Sequence, residues 1–209
     1  SAGLKKSQKP DLALIYSEVP AVAAGVFTKN KVKAAPLLAT KKNLKNGQLQ
    51  AIIINSGNAN ACTGKNGVNH VKQTIATLSD ELAISPSLIG VASTGVIGVP
   101  LAIDTLIAGI PKLTKSLDNK TGNPAATAIL TTDTFIKEAA IKVKLSNGTI
   151  IKLGGIAKGS GMIHPNMATM LGFIATDAGF APGLLTTLTR EVADLSFNAI
   201  TIDGDTSTN

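Results

Sequence analysis

Apolar positions along the chain follow two periods, one close to four residues and one of two. Residues 51–54 (Ala-Ile-Ile-Ile) form a short unbroken apolar run bounded by turn-forming residues, the pattern of a buried strand. Val71, Ile75, Leu78 and Leu82 share one helical face, and Ser85-Pro86 reads as the stop of that helix. Residues 88–92 predict a second buried strand, which delivers Ser93-Thr94-Gly95 at its C-terminal end. Pro100 suits the first turn of a helix reaching about Ile110. Asn123-Pro124 reads as a cap and first-turn pair opening a short helix toward Ile129.

Further along, Ile141, Val143 and Leu145 alternate with Lys142 and Lys144, which predicts a strand buried on one face. Asn147-Gly148 offers two residues tolerant of positive φ for a tight hairpin, with 149–153 as the return strand. Residues 170–175 read as another apolar strand. Pro182 opens a helix with Leu185, Leu188, Val192, Leu195 and Ala199 on one face. Strands and helices intermix without repeats or low-complexity linkers. The expected fold class is therefore α/β, with mixed α+β layers and no sharp domain boundary.

Composition narrows this picture. A chain of 209 residues with 44% hydrophobic content can bury a sizeable core. Aromatics are only 3%, so that core is aliphatic. The net charge of +7 could attract anions. The lysines are scattered, however, Arg190 is the sole arginine, and aromatic residues for base stacking are scarce, so no nucleic-acid partner is expected. One cysteine, Cys62, excludes an internal disulfide and reads as a small buried thiol. Two histidines are too few for a typical zinc site, and no metal or cofactor is implied. No apolar run is long enough to span a bilayer and no signal peptide is evident, so the expected location is the cytoplasm with no membrane partner.

Several motifs carry candidate chemistry. Gly154-Gly155-Ile156-Ala157-Lys158-Gly159-Ser160-Gly161 resembles a phosphate cradle only loosely. It lacks the P-loop Gly-Lys-Ser/Thr triplet, and His164 stands where a dinucleotide fingerprint needs its last glycine. Thr94-Gly95 after a strand is either an ordinary turn or a place where backbone N–H groups meet a reacting oxygen. Asn55, Asn58 and Asn60 suit a structural, self-bonded loop. Asp203-Gly204-Asp205 lacks the other ligands of a calcium loop and reads as a turn. Thr169, a hydroxyl entering an apolar segment, reads on spacing alone as a half-buried strand residue.

Taken together, the motifs resemble those of the bifunctional ornithine acetyltransferase family of arginine biosynthesis. The matching stretches include Met167-Ala168-Thr169-Met170-Leu171, the run from Asn55 to Gly64, Ser93-Thr94-Gly95-Val96-Ile97-Gly98, Leu130-Thr131-Thr132-Asp133-Thr134, and Asp203 to Asn209. They occur in family order from end to end. The resemblance implies cleavage between Ala168 and Thr169, which divides an α-chain region (1–168) from the start of a β-chain (169–209). It makes Thr169 the nucleophile, Thr94 and Gly95 the oxyanion pair, and Lys158 a substrate-binding cation. Thr131 and Thr132 both match the other substrate-contacting position, and of the two Thr132 is preferred. The implied reaction moves acetyl from N-acetylornithine to glutamate, with acetyl-CoA a possible second donor. The implied assembly is a heterotetramer of two α and two β chains. Family members run to roughly twice this length, so a fragment is expected. The alternatives are an aminopeptidase of the related self-processing fold and a non-catalytic anion-binding protein.

A threonine at a new N-terminus carries its own base, an α-amino group of ordinary pKa about 7.7–8.0. Mass spectrometry of the full-length protein is expected to find two chains that part between Ala168 and Thr169. A single intact chain would remove the nucleophile from this reading.

Overall fold

The computed structural model describes residues 1–5, 7, 9–118, 121–164 and 170–209. Its strands form two three-stranded sheets. The first joins β1 (Leu12–Val22), β2 (Gln48–Asn58) and β3 (Ile89–Val96), with β2 central, antiparallel to β1 and parallel to β3. The second joins β4 (Lys137–Lys144), β5 (Ile150–Lys158) and β6 (Leu171–Thr176), antiparallel throughout. Five α-helices accompany them among the described residues: α1 (Ala35–Asn43), α2 (Gly64–Leu82), α3 (Ile103–Lys115), α4 (Asn123–Ala128) and α5 (Pro182–Leu195). The class is the expected mixed α/β.

The central run of the chain behaves as its pattern demands. Ile53 and Ile54 in β2 are both buried, because a parallel β2–α2–β3 unit is covered on both faces. Val71 and Leu78 of α2 pack into one cluster with Ile53, Ile89, Val91, Leu106 and Ile110. Helix α2 stops earlier than Ser85-Pro86 suggests. Ala83 takes the left-handed conformation (φ 52°) and returns its N–H to the carbonyls of Ser79 and Asp80. Ser85 and Pro86 instead open a 3₁₀ turn at Pro86–Leu88.

Other boundaries move for local reasons. Pro100 lies outside α3, which starts at Ile103 and continues through Pro111 to Lys115, with Leu113 packed against the main cluster. Asn123 is the first helical residue of α4 and not its cap, since Gly122 holds that position without a side-chain bond. In the β4–β5 hairpin only Gly148 has positive φ (86°). Gly148 N–H bonds the Leu145 carbonyl and Leu145 N–H bonds the Thr149 carbonyl, which makes a three-residue turn with a bulge. Asn147 turns its Oδ1 to the Thr149 N–H instead of taking a left-handed conformation. Strand β5 extends past residue 153 through Gly154-Gly155 to Lys158, because ladders with β4 and β6 hold it on both sides.

A second group of expectations is overturned. Ile141 is 57% exposed and Val143 is also exposed, so β4 is not buried on its apolar face. Val192 and Leu195 of α5 are exposed too, and Ala193 is the buried residue of that helix. Ala199 lies beyond it in a 3₁₀ turn, Phe197–Ala199. Phe135, Ile141, Phe173, Ile174 and Phe197 line an open apolar groove along the second sheet. Among the described residues, too little chain lies over this face to bury what the sequence pattern prepares for burial. The two sheets meet where Ala13, Ile54, Ala128 and Ile129 pack with Ile52, Ile156, Leu171 and Phe173.

Strand β1 and helix α1 were not foreseen. Just ahead of β1, the buried Asp11 carboxylate gathers the backbone N–H groups of Ala2, Gly3, Leu4 and Lys5 at 2.5–3.2 Å. Burial pushes the Asp11 pKa up, but those four amides outweigh it and hold the carboxyl below its ordinary value.

Where β2 and β3 end, the backbones of Gly57 and Gly95 come together at φ 101° and 134°. A Cβ on Gly95 would lie 2.3 Å from the Gly57 carbonyl carbon. Gly95→Ala must therefore part the strands and adopt a disfavoured φ, at a cost of about 3 kcal/mol or more. Chemical denaturation of the full-length protein measures it, and a loss below about 1 kcal/mol would contradict this account of the glycine pair.

Candidate active site

Three segments converge where the sheets meet. Strand β3 brings Thr94, β5 ends on Lys158, and the stretch after α4 brings Thr131, Thr132 and Asp133. Lys158 is only 5% exposed. Its Nζ donates to Thr94 Oγ1 at 3.0 Å and to Thr131 Oγ1 at 2.7 Å, and stands 4.0 Å from Asp133 Oδ2. An ammonium has three hydrogens and no lone pair, so both hydroxyls accept and each keeps its own proton to give elsewhere. Thr132 is exposed and shares a 2.6 Å hydroxyl contact with Ser160. Of the two threonines offered by the sequence, Thr131 is the one bonded to Lys158.

Asp133 is the residue that sequence reasoning missed. Its side chain is fully buried. Oδ1 accepts from Lys137 Nζ and from Gly159 N–H, both at 2.8 Å, and Oδ2 accepts from Thr131 N–H at 3.4 Å. The i,i+4 spacing of Asp133 and Lys137, inside a motif already singled out, was the available signal. Burial pushes the Asp133 carboxyl up, but the bond from Lys137, the Gly159 amide and the charge of Lys158 more than offset it, so its pKa is lowered. Burial lowers the Lys158 pKa, Asp133 raises it and Lys137 lowers it, and the net direction is down.

The support beneath this cluster is polar. Lys5 Nζ donates to the Pro10, Ala128 and Leu130 carbonyls, and Ser56 Oγ donates to the Ala128 carbonyl as well. The C-terminal end of α4, and with it the approach to Thr131, is thus pinned from two sides. Asn55 Nδ2 bonds the Asn58 carbonyl, Asn58 Nδ2 bonds the Val99 carbonyl, and Asn60 Nδ2 bonds the Gly67 carbonyl, so the asparagine loop is structural as read. Asn209 Nδ2 bridges the carbonyls of Ala59 and Ser93, each at 2.8 Å. Asp203 accepts the N–H groups of Met162 and Ile163 at 2.7 and 3.0 Å, the bonding of a turn residue. Cys62 is exposed at φ 58°, contrary to the expected buried thiol, because it sits in the turn that enters α2. Ala168 and Thr169 lie outside the described residues. Residue 171, at the start of β6, is the register partner of Lys158.

A buried cation that donates to two hydroxyls fits acyl chemistry, and comparison with known proteins decides the family. The ArgJ family matches residues 1–209. The chain belongs to the ArgJ family. It is 53% identical over 201 residues to the arginine biosynthesis bifunctional protein ArgJ of Symbiobacterium thermophilum, covering 96% of this chain and 50% of that protein. It thus spans about half the length of the curated ArgJ proteins it matches. A crystal structure of the Bacillus halodurans ArgJ protein is 44% identical with a TM-score of 0.73, over 80% of this chain and 87% of that one. The Mycobacterium tuberculosis ornithine acetyltransferase, solved with ornithine, is 39% identical with a TM-score of 0.73, over 81% and 89% of the two chains.

In this ArgJ-family chain Asp133→Ala would leave the Lys158 ammonium buried without its carboxylate. Removing one partner of such a pair costs about 3 kcal/mol. Denaturant titration should show that loss, with Asp133→Asn costing less because the amide oxygen still accepts a bond. Equal stability of Asp133→Ala and the unaltered protein would rule out this account of the cluster.

Proposed function

We propose that the full-length protein containing this chain is a glutamate N-acetyltransferase, moving acetyl from N-acetylornithine to glutamate in a cyclic route of arginine biosynthesis. The supporting observation is the buried Lys158, whose ammonium binds Thr94 and Thr131 together in a chain that belongs throughout to the ArgJ family.

Maturation comes first. The Thr169 hydroxyl attacks the Ala168 carbonyl carbon, the peptide nitrogen leaves as the Thr169 α-amine, and water hydrolyses the ester. The products are an α-chain ending at Ala168 and a β-chain beginning at Thr169. The freed α-amine then takes the proton of the Thr169 hydroxyl as that oxygen attacks the acetyl carbonyl of N-acetylornithine. The oxyanion that forms is met by the Thr94 hydroxyl and the Gly95 N–H. Collapse expels ornithine with the proton on its amine and leaves acetyl on Thr169. The glutamate amine attacks that ester and departs as N-acetylglutamate, returning the proton to Thr169.

Thr131 and Thr132 border the substrate, and the third N–H of Lys158 is available to a substrate carboxylate. Acetyl-CoA serves as a second donor in the same ping-pong scheme. The chains pair as a heterotetramer of two α and two β chains in the cytoplasm, with no nucleic-acid or membrane partner.

The test follows labelled acetyl from N-acetylornithine to glutamate in the full-length protein. Thr94→Val should lower kcat by about 10²–10³ with little change in KM, as loss of one oxyanion donor does. An unchanged kcat, or release of residues from a peptide in place of acetyl transfer, would overturn the reading.

A further inference from the structure

Resting on that reading of Thr94, we propose that Asp133 and Lys158 work through it: a buried charge pair aims the Thr94 hydroxyl proton at the oxygen that becomes charged during acyl transfer. Both are positioning residues in this role.

The geometry carries the argument. A hydroxyl has one proton and two lone pairs, and it can swing between giving and accepting. The 3.0 Å bond from Lys158 Nζ occupies a lone pair of Thr94 Oγ1, and an ammonium can only donate. With Nζ on that lone pair, the hydroxyl cannot turn its proton toward the ammonium and is set to donate on its other side. Accepting from a cation also polarises the O–H and makes it a stronger donor at a site that is 5% exposed. Asp133 keeps the cation in place without competing for Thr94. It holds the amide of Gly159, next in sequence to Lys158, and the amide of Thr131, the second hydroxyl on the ammonium. Its carboxylate lies 4.0 Å from Nζ, long for a hydrogen bond but close enough to stabilise the charge.

The charged groups that face Lys158 are Asp133, Lys137 and the more distant Lys5. Helix α4, which packs beside β5, carries no charged residue. Only the ammonium is confined to donating and polarises the Thr94 O–H, whereas the neutral amine offers a lone pair to which the hydroxyl can turn its proton, so activity is present below the Lys158 pKa and is lost as pH rises through it. Asp133 raises that pKa and Lys137 lowers it. The basic limb of the kcat profile should therefore move to lower pH in Asp133→Asn and to higher pH in Lys137→Met.

The deciding experiment is a double-mutant cycle on kcat for acetyl transfer in the full-length protein. Lys158→Met and Thr94→Val should each cost about 10²-fold. The double variant should lose no more than about threefold beyond the worse single one, since both remove the same interaction. Thr94→Ser, which keeps the hydroxyl, should restore the sensitivity to Lys158→Met. Where a variant stalls before processing, the same cycle is read by mass spectrometry on the rate of processing, because the severed carbonyl develops the same charge. Losses that multiply, or a basic limb that moves in neither Asp133→Asn nor Lys137→Met, would overturn the proposal. A Thr94→Val protein with full kcat sinks the parent reading instead, and a Lys158→Met protein that changes only KM leaves the cation a substrate ligand alone.

Discussion

The ammonium of Lys158 is the group around which this structure is organised. An unpartnered charge in so dry a place would cost several kcal/mol. It is tolerated because Thr94 arrives from one sheet, Thr131 from the segment after α4, and Asp133 from the turn that leads into β4. Each of those segments must be in register before the charge is satisfied. The apolar seam of Ala13, Ile54, Ile129 and Ile156 lies beneath the same junction, so burial and polar satisfaction favour one docking of the two sheets.

The scaffold is pinned by polar groups as well as by aliphatic packing. Asp11 collects the amides of residues 2–5 and draws Lys5 inward, where its ammonium caps the end of α4. Burial lowers the Lys5 pKa and the Asp11 charge raises it, with the net direction down. An aliphatic core with few aromatics has limited means of fixing a loop to within an ångström, and directional bonds of this kind supply that precision.

Sequence reasoning reached β2, α2 and β3 but not β1, because the former carry strong periodicities in Ala51–Ile54, Val71, Leu78 and Val91. It placed β4 and α5 but not their exposure, because periodicity reports which face is meant to be buried and not whether that face is covered. Ile141, Val192 and Leu195 kept their pattern and stayed exposed. At the site, Thr94, Thr131 and Lys158 were named from motifs, and their meeting in space is a tertiary fact with no local signal. Asp133 was passed over because a lone acid beside two threonines looks like turn chemistry until Gly159 and Lys137 fold onto it. Thr132 and Thr131 could not be separated in sequence, since both lie in the irregular stretch between α4 and β4 and only the fold sets which one faces the lysine.

The bond between Lys158 and Thr94 spans 64 residues. A ribosome adds residues from the N-terminal end, so β1, β2 and β3 can pair, with Thr94 and Gly95 already on a finished edge, well before the lysine has been translated. Until β5 emerges, that hydroxyl is free to rotate and the half-built pocket lacks the cation that will orient it. The order of synthesis therefore installs the cation after the hydroxyls and the carboxylate that will hold it, and a nascent chain carries the cradle before it carries the ammonium.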